Sequence, residues 1–278
     1  MKLRNLLLTA GAGAAFAARA LKMRRDEAEA ALDRAWRALE GLRGSEPFSE
    51  EAVAHLPEPA RRYLLHAIAP GTPVAPGMRL SMQGSIRLGG RWLPMRAEQL
   101  LAPPVGFVWR PQMDLGPLGF SGADSWFEGE GRVQFWTLGI IPVANQAGPD
   151  ISRAAAGRLA IETLWAPTTL LGPGVRWESA GEDTARFTLD VGGDPMTVTL
   201  ELAKDGALRA TSMLRWGHPE NRGRFEPVPF GGEVEEERSF GGYTLPSRVR
   251  VGWGFGTPRF DASFHAVLTR AEPLEEPG

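Results

Sequence analysis

The stretch MRLSMQGSIRL, residues 78–88, restricts the possible folds more than any other part of the chain. Met78, Leu80, Met82, Gly84, Ile86 and Leu88 alternate with Arg79, Ser81, Gln83, Ser85 and Arg87. This is the period of two that buries one face of a strand and leaves the other in water. One-sided burial belongs to antiparallel sheets, because parallel sheets are covered on both faces. Gly89-Gly90 then makes a tight turn into RWLPMRAEQLL, GFVWRPQM reads as the next strand, and SWFEGEGRVQFWTL reads as a hairpin turning at Glu128 to Gly131.

A helix interrupts this pattern from Asp150 to about Trp165. Asp150 or Ser152 suits its first turn, and Pro167 disfavours helical backbone at Ala166. Strands resume with VRWES, TARFTLDV, PMTVTLELA, ALRATSMLRW, GEVEEERSF, TLPSRVRVGW and RFDASFHAVL. Turn signals fall at Gly192-Gly193 and Asp205-Gly206, and a Pro- and Gly-rich loop runs from Gly217 to Gly232. No internal repeat is visible. The expected fold is α+β: a large curved antiparallel sheet of roughly ten strands, an open or half-closed barrel around a central helix, with N-terminal helices.

This pattern divides the chain into three segments: residues 1–21 as a signal peptide or membrane anchor, 22–71 as N-terminal helices, and 72–278 as the sheet domain. Lys2 and Arg4 precede an apolar run from Leu6 to Ala18, shorter than the ~20 residues that a membrane span needs. Ala18-Arg19-Ala20 resembles a cleavage site, whereas Lys22, Arg24 and Arg25 oppose outward transfer of the C-terminal side. The expected location is extracytoplasmic or membrane-anchored, with a cytoplasmic amphipathic helix as the alternative. Ala28, Leu32, Trp36 and Leu39 have helical spacing, and LPEPARRYLLHAIAP, residues 56–70, starts a second helix at its prolines.

The net charge of −2 gives no footprint for nucleic acid, and the absence of cysteine excludes disulfides, thiolate metal sites and thiol nucleophiles. GAGAAF, residues 11–16, imitates a dinucleotide-binding glycine motif, but Phe16 stands at the third glycine position and no second strand with its acidic residue comes after it. GFSGA around Ser121 lacks the last glycine of a nucleophile elbow. His55, His66, His218 and His265 lack helical metal-site spacing, so neither a metal nor a cofactor is expected. In GEVEEERSF, alternation sets Glu233, Glu235 and Glu237 opposite Val234 and Glu236, a solvated face or, alternatively, a cation site.

Residues 162–178, ETLWAPTTLLGPGVRWE, put a carboxylate, two tryptophans and two prolines into one helix-to-strand junction. Arg158 and Glu162 are four apart and share a helix face, as an ordinary ion pair or as a charge turned into the barrel beside Trp165. Arg215 beside Trp216 offers a polar group for an anionic head. The candidate ligand-binding residues are therefore Arg158, Glu162, Trp165, Arg215 and Trp216. Asp124 or Glu98 could join them in space.

LPEPARRYLLHAI, MQGSIRLGGRWLPMRAEQ, GFVW, ETLWAPTTLL and VRWE together resemble an uncharacterised bacterial family of unknown function, over roughly residues 55–260. Its members often carry an N-terminal hydrophobic segment. The family's central helix pattern is matched at Arg158, Glu162, Trp165, Pro167 and Thr168, with Leu159 where the family has tyrosine. The architecture is also similar to periplasmic lipoprotein carriers, half-barrels that bind acyl chains, a likeness of fold alone. The expected function is a non-catalytic binding or carrier protein for an apolar or lipid-like molecule at the cell envelope, touching the membrane through its N-terminal segment. A hydrolase-like envelope enzyme with carboxylates at a cavity mouth is the alternative, and a structural envelope protein the third. Ligand identity and oligomeric state are not encoded legibly.

Overall fold

The computed structural model describes residues 2–44, 46–113, 120–138, 141–218 and 224–274, with side chains from residue 19 onward. Helix α1, Lys2–Glu40, is followed by α2, Glu58–Ala67. Six strands come next: β1, Met78–Leu88; β2, Arg91–Ala102; β3, Gly106–Met113; β4, Phe120–Phe127; β5, Glu130–Thr137; and β6, Ile141–Ala147. Helix α3, Pro149–Glu162, continues through two 3-10 turns, Thr163–Trp165 and Pro167–Leu171. Seven strands close the chain: β7, Val175–Gly181; β8, Thr184–Val191; β9, Asp194–Leu202; β10, Leu208–Gly217; β11, Glu226–Phe240; β12, Tyr243–Trp253; and β13, Asp261–Pro273.

All thirteen strands form one antiparallel sheet in the order β6-β5-β4-β3-β2-β1-β13-β12-β11-β10-β9-β8-β7. Each half of the chain is a meander, and the two meanders join where β1 pairs with β13 at the centre. The outer edges are β6 and β7, and α3 connects them. This helix packs on β4, β5 and β6 and also on β8, β9 and β10. A flat sheet of this width could not bring both wings to one helix, so the sheet curls around it. Register shifts in β1/β13, β11/β12 and β12/β13 supply local bends.

The concave face holds the main core, in which Leu159, Ala155, Ala156 and Ala160 of α3 meet Phe107, Phe187, Val198 and Leu200 of the sheet. Alanines on α3 allow close approach, and Gly131 on β5 completes the fit: a Cβ there would sit 2.6 Å from Ser152 Cα. The convex face is covered over β2, β3 and β4 by α1, whose Leu32, Ala35 and Leu39 pack on Leu100, Ala102, Val108 and Ala123. Around that patch Trp36 lies under the Arg79 and Arg110 guanidinium groups, and Arg110 pairs with Asp33 at 2.7 Å. Among the described residues no helix is long and apolar enough to cross a membrane.

Helix α1 runs through residue 21 without a break. Thirteen strands are present among the described residues, in keeping with the large curved antiparallel sheet expected, and the strand that sequence reasoning overlooked is β6. This edge strand is exposed at nearly every position, so it carries no alternation to detect. The loop expected to Gly232 instead becomes strand from Glu226. Pro227 and Pro229 are tolerated there because pairing with β12 begins only at Phe230, so their missing N–H groups break no ladder bond. The turn at Asp205-Gly206 is also wider than a two-residue hairpin: Ala203 N donates to Ala207 O across it. Gly206 is required there, with φ of +90° and a space in which a Cβ would meet Arg62 O of α2 at 2.5 Å.

The acidic run is corrected as well. A bulge at Glu235 interrupts the alternation in β11, and a second register shift next to it leaves Ser247 of β12 without a partner. Glu233 and Glu236 pair with Arg250 and Arg248, whereas Glu237 turns toward α2. There its carboxylate accepts from Leu208 N at 3.1 Å and meets His66 Nε2 at 2.9 Å. The hydrogen bond to Glu237 raises the His66 pKa, against the opposing effect of burial.

Two outcomes are expected. Leu39→Ala, at a fully buried position, should lower the unfolding free energy by about 2–5 kcal/mol. Leu214→Ala, on the exposed side of β10, should change it by less than about 0.5 kcal/mol, both read by chemical denaturation. A histidine whose folded pKa is raised stabilises fully below its ordinary value of 6.5 and loses that contribution as pH rises through the folded pKa. The stability advantage of wild type over Glu237→Gln should therefore be larger near pH 6 than near pH 8.5; an equal advantage at both would show that the pair is not linked to folding.

Candidate functional site

The α3 helix does not fill the whole concavity. Between its last turns and strands β1, β3, β4, β5, β10, β11, β12 and β13 lies a cavity of about 350 Å³. Its walls are mostly apolar: Ile86, Trp109, Phe135, Phe230, Val249, Val251, Trp253 and Phe264 from the sheet, with Ile161, Leu164 and Trp165 from the helix end. Trp165 is fixed by its indole N–H, which donates to Pro246 O at 2.9 Å. The turn after α3 is held by Thr168, whose hydroxyl donates to Ala75 O at 2.8 Å. Trp165, Pro167 and Thr168 therefore anchor the junction between helix and sheet, and only Trp165 of the three faces the cavity.

A compact polar group lies in one wall. Arg158 Nε donates to Glu162 Oε1 at 2.7 Å, and its Nη1 donates to Asp124 Oδ2 of β4. The second oxygen of Glu162 accepts from the Gln99 amide of β2 at 2.6 Å. The guanidinium carbon of Arg158 also lies 4.8 Å from the ring centres of Phe107 and Trp109. Burial alone would lower the Arg158 pKa, but the charges and hydrogen bonds of Glu162 and Asp124 outweigh it and hold the guanidinium above its ordinary value. The i,i+4 pair is therefore real and turned inward, with Asp124 as the second acid brought in by the sheet.

Arg215 is placed differently. Its Nε donates to Ala154 O of α3 at 3.1 Å, and its guanidinium lies 4.7 Å from the Phe230 ring and 5.3 Å from that of Trp253. No ion pair joins it to a carboxylate among the described residues. Burial, then the nearby cation of Arg158, push its pKa down to about 10, opposed by the charges of Asp124 and Glu162. It remains protonated at neutral pH.

Arg158, Glu162, Trp165 and Arg215 thus line one cavity. Trp216 does not join them. Successive residues on a strand diverge, and its indole N–H instead donates to Asp150 Oδ1 at 2.9 Å beneath Arg153, at the start of α3. Glu98 is likewise exposed, because the neighbouring position, Gln99, takes the inward side of β2. Gln99, Trp109 and Thr211 belong to the site, although no spacing rule links them to α3. Four buried polar atoms here have no hydrogen-bond partner: Asp124 Oδ1, Gln99 Oε1, Trp109 Nε1 and Thr211 Oγ1. Among the described residues no three His, Asp or Glu side chains gather as a metal ion would need.

Removing Arg158 should expose how the polar wall is balanced. Arg158→Met strands two part-buried carboxylates and should destabilise the fold by roughly 3–5 kcal/mol near neutral pH. Denaturation curves of the two proteins check this, and an unchanged midpoint would show the network to be energetically idle.

No curated protein matches the sequence significantly. Among solved structures, a LolA superfamily protein from Nitrosomonas europaea aligns with 79% of this chain and 93% of its own, at 10% identity and a TM-score of 0.42. The profile of DUF6544, a family of unknown function, matches residues 46–264, which include every strand from β1 to β12 and the whole cavity network. The chain belongs to the DUF6544 family.

Proposed function

We propose that this protein is a non-catalytic binding or carrier protein for an apolar, lipid-like molecule, which it holds between the end of α3 and the concave sheet face. The observation that carries this reading is the cavity of about 350 Å³ with an apolar lining and a small, localised polar group. Small-molecule sites combine an apolar concavity of roughly 300–1,000 Å³ with a few polar groups that orient the ligand. The carboxylates favour binding over hydrolysis. Asp124 and Glu162 both engage Arg158, whereas acid–base chemistry needs groups free to exchange protons with a substrate.

A role at the cell envelope is part of the same proposal. Lys2 and Arg4 before the apolar run Leu6 to Ala18, and Ala18-Arg19-Ala20 after it, support a membrane-directed N-terminus. Cleavage after Ala20 would leave the part of α1 that packs on the sheet, from Ala28 onward, attached to the domain.

Native mass spectrometry with organic extraction, on the full chain purified without detergent from membrane-containing cells, tests the proposal. The expected result is a bound mass that extracts as lipid and is lost from Val251→Trp, a substitution that fills the cavity at the modest overpacking penalty of about 1–3 kcal/mol. A clean unliganded mass that stays unchanged after incubation with lipid mixtures overturns the proposal.

A further inference from the structure

We infer that the molecule held in this cavity has a single apolar chain ending in a monoanionic head, in the simplest case a carboxylate, and that Arg215 binds that head. The inference rests on the apolar-ligand reading above and assigns the chemistry of the ligand's polar end.

Arg215 reaches the cavity because α3 makes room for it. A Cβ on Gly157 would lie 3.1 Å from Arg215 Cγ, so the helix has no side chain where the arginine stem crosses it. Its Nε is occupied by Ala154 O, and aromatic rings lie within 4.7 and 5.3 Å of its guanidinium. The two terminal nitrogens remain, and they form the edge that grips an oxyanion through two parallel hydrogen bonds. Rings stabilise a cation less than a desolvated carboxylate does. Arg158 shows the contrast within the same cavity, because there two carboxylates and two rings serve one guanidinium. Arg215 has the rings and one carbonyl, and lacks the anion.

Direct pairing within the lining, not its net charge, points to the type of head: Asp124 and Glu162 balance Arg158 and Arg215 in sum, but only Arg215 has no carboxylate within ion-pair distance among the described residues. Asp124 and Glu162 face Arg158 and Arg215, and both acids are already engaged by Arg158. Glu233, at the same cavity, is paired with Arg250 at 3.4 Å. One anion therefore finds one uncommitted cation, and a dianion brings a second charge with nothing to meet it. A cationic head would face two guanidinium groups, with both acids already paired to Arg158. The volume of about 350 Å³ is near the lower end of small-molecule sites and suits one chain rather than two.

The test is competition against a neutral apolar dye, N-phenyl-1-naphthylamine, bound to the full-length wild-type protein. Hexadecanoate, hexadecanol and hexadecyl phosphate share a chain and differ in head charge. Hexadecanoate should displace the dye at a concentration at least about tenfold lower than hexadecanol, the value of one charge-assisted hydrogen-bonded contact. It should also act below the concentration of the dianionic phosphate. In Arg215→Met the acid-to-alcohol ratio should fall to parity, a ratio in which any change in affinity common to both competitors cancels. Equal displacement by acid and alcohol in the wild type overturns the head-group assignment while leaving the apolar-ligand reading standing, and needs no variant to fold. Preference for the phosphate overturns the monoanion. Dye binding that no competitor affects, or no dye binding at all, removes both readings together.

Discussion

The contact of one helix, α3, with both wings of a single sheet sets the shape of the molecule. The helix joins the two edge strands and packs on strands of each half, so β4 to β6 and β8 to β10 must face one another across it. The alanines of α3 keep the approach short, and glycines opposite them, at Gly131 on β5 and at Gly157 on the helix itself, remove the side chains that would hold the wings apart. Where the helix ends, at Glu162 to Trp165, the two walls continue without a filler. The cavity is the part of the concavity that α3 does not occupy.

That geometry explains why the polar network sits where it does. An arginine on the last turns of α3 points into the apolar gap, and a lone guanidinium there would carry a large desolvation penalty. The structure meets it with Glu162 from the same helix, Asp124 from β4 and, through Glu162, Gln99 from β2. The result ties helix to sheet with directional bonds in a region where packing is incomplete. Arg215 sits in the same gap with far less compensation, one backbone carbonyl and two aromatic rings.

The sequence made the sheet legible where burial is one-sided. β1 as far as Gln83, β8 and β9 alternate in both sequence and structure, and paired glycines mark turns in which both residues have positive φ, at Gly89-Gly90 and Gly192-Gly193. It was silent where that signal is missing: β6 is exposed along nearly its whole length, and the first part of β11 is rich in proline and glycine. For the site, the four-residue spacing of Arg158 and Glu162 was readable because a helix is a local object. Asp124 was only a suggestion from sequence, and Trp216 was placed at the site when it points elsewhere. Both outcomes depend on which strand face meets the helix, and the bulge at Glu235 in β11, with its counterpart at Ser247 in β12, shows how a one-residue shift redirects an acidic run.

From sequence alone come the antiparallel class of the sheet, a central helix from Asp150 to about Trp165, the amphipathic part of α1 after residue 21 and α2, and the inward candidates on α3, because each arises from local periodicity or from turn and cap chemistry. Tertiary structure alone decided that β1 and β13 join the two meanders, that the sheet curls until both wings touch α3, and that the gap left over collects Asp124, Gln99, Thr211 and an uncompensated Arg215. Those residues come from three strands, β2, β4 and β10, which lie tens of positions apart in the chain. Their meeting is set by strand order and sheet curvature, which are properties of the whole assembly of strands and have no signature within any one of them.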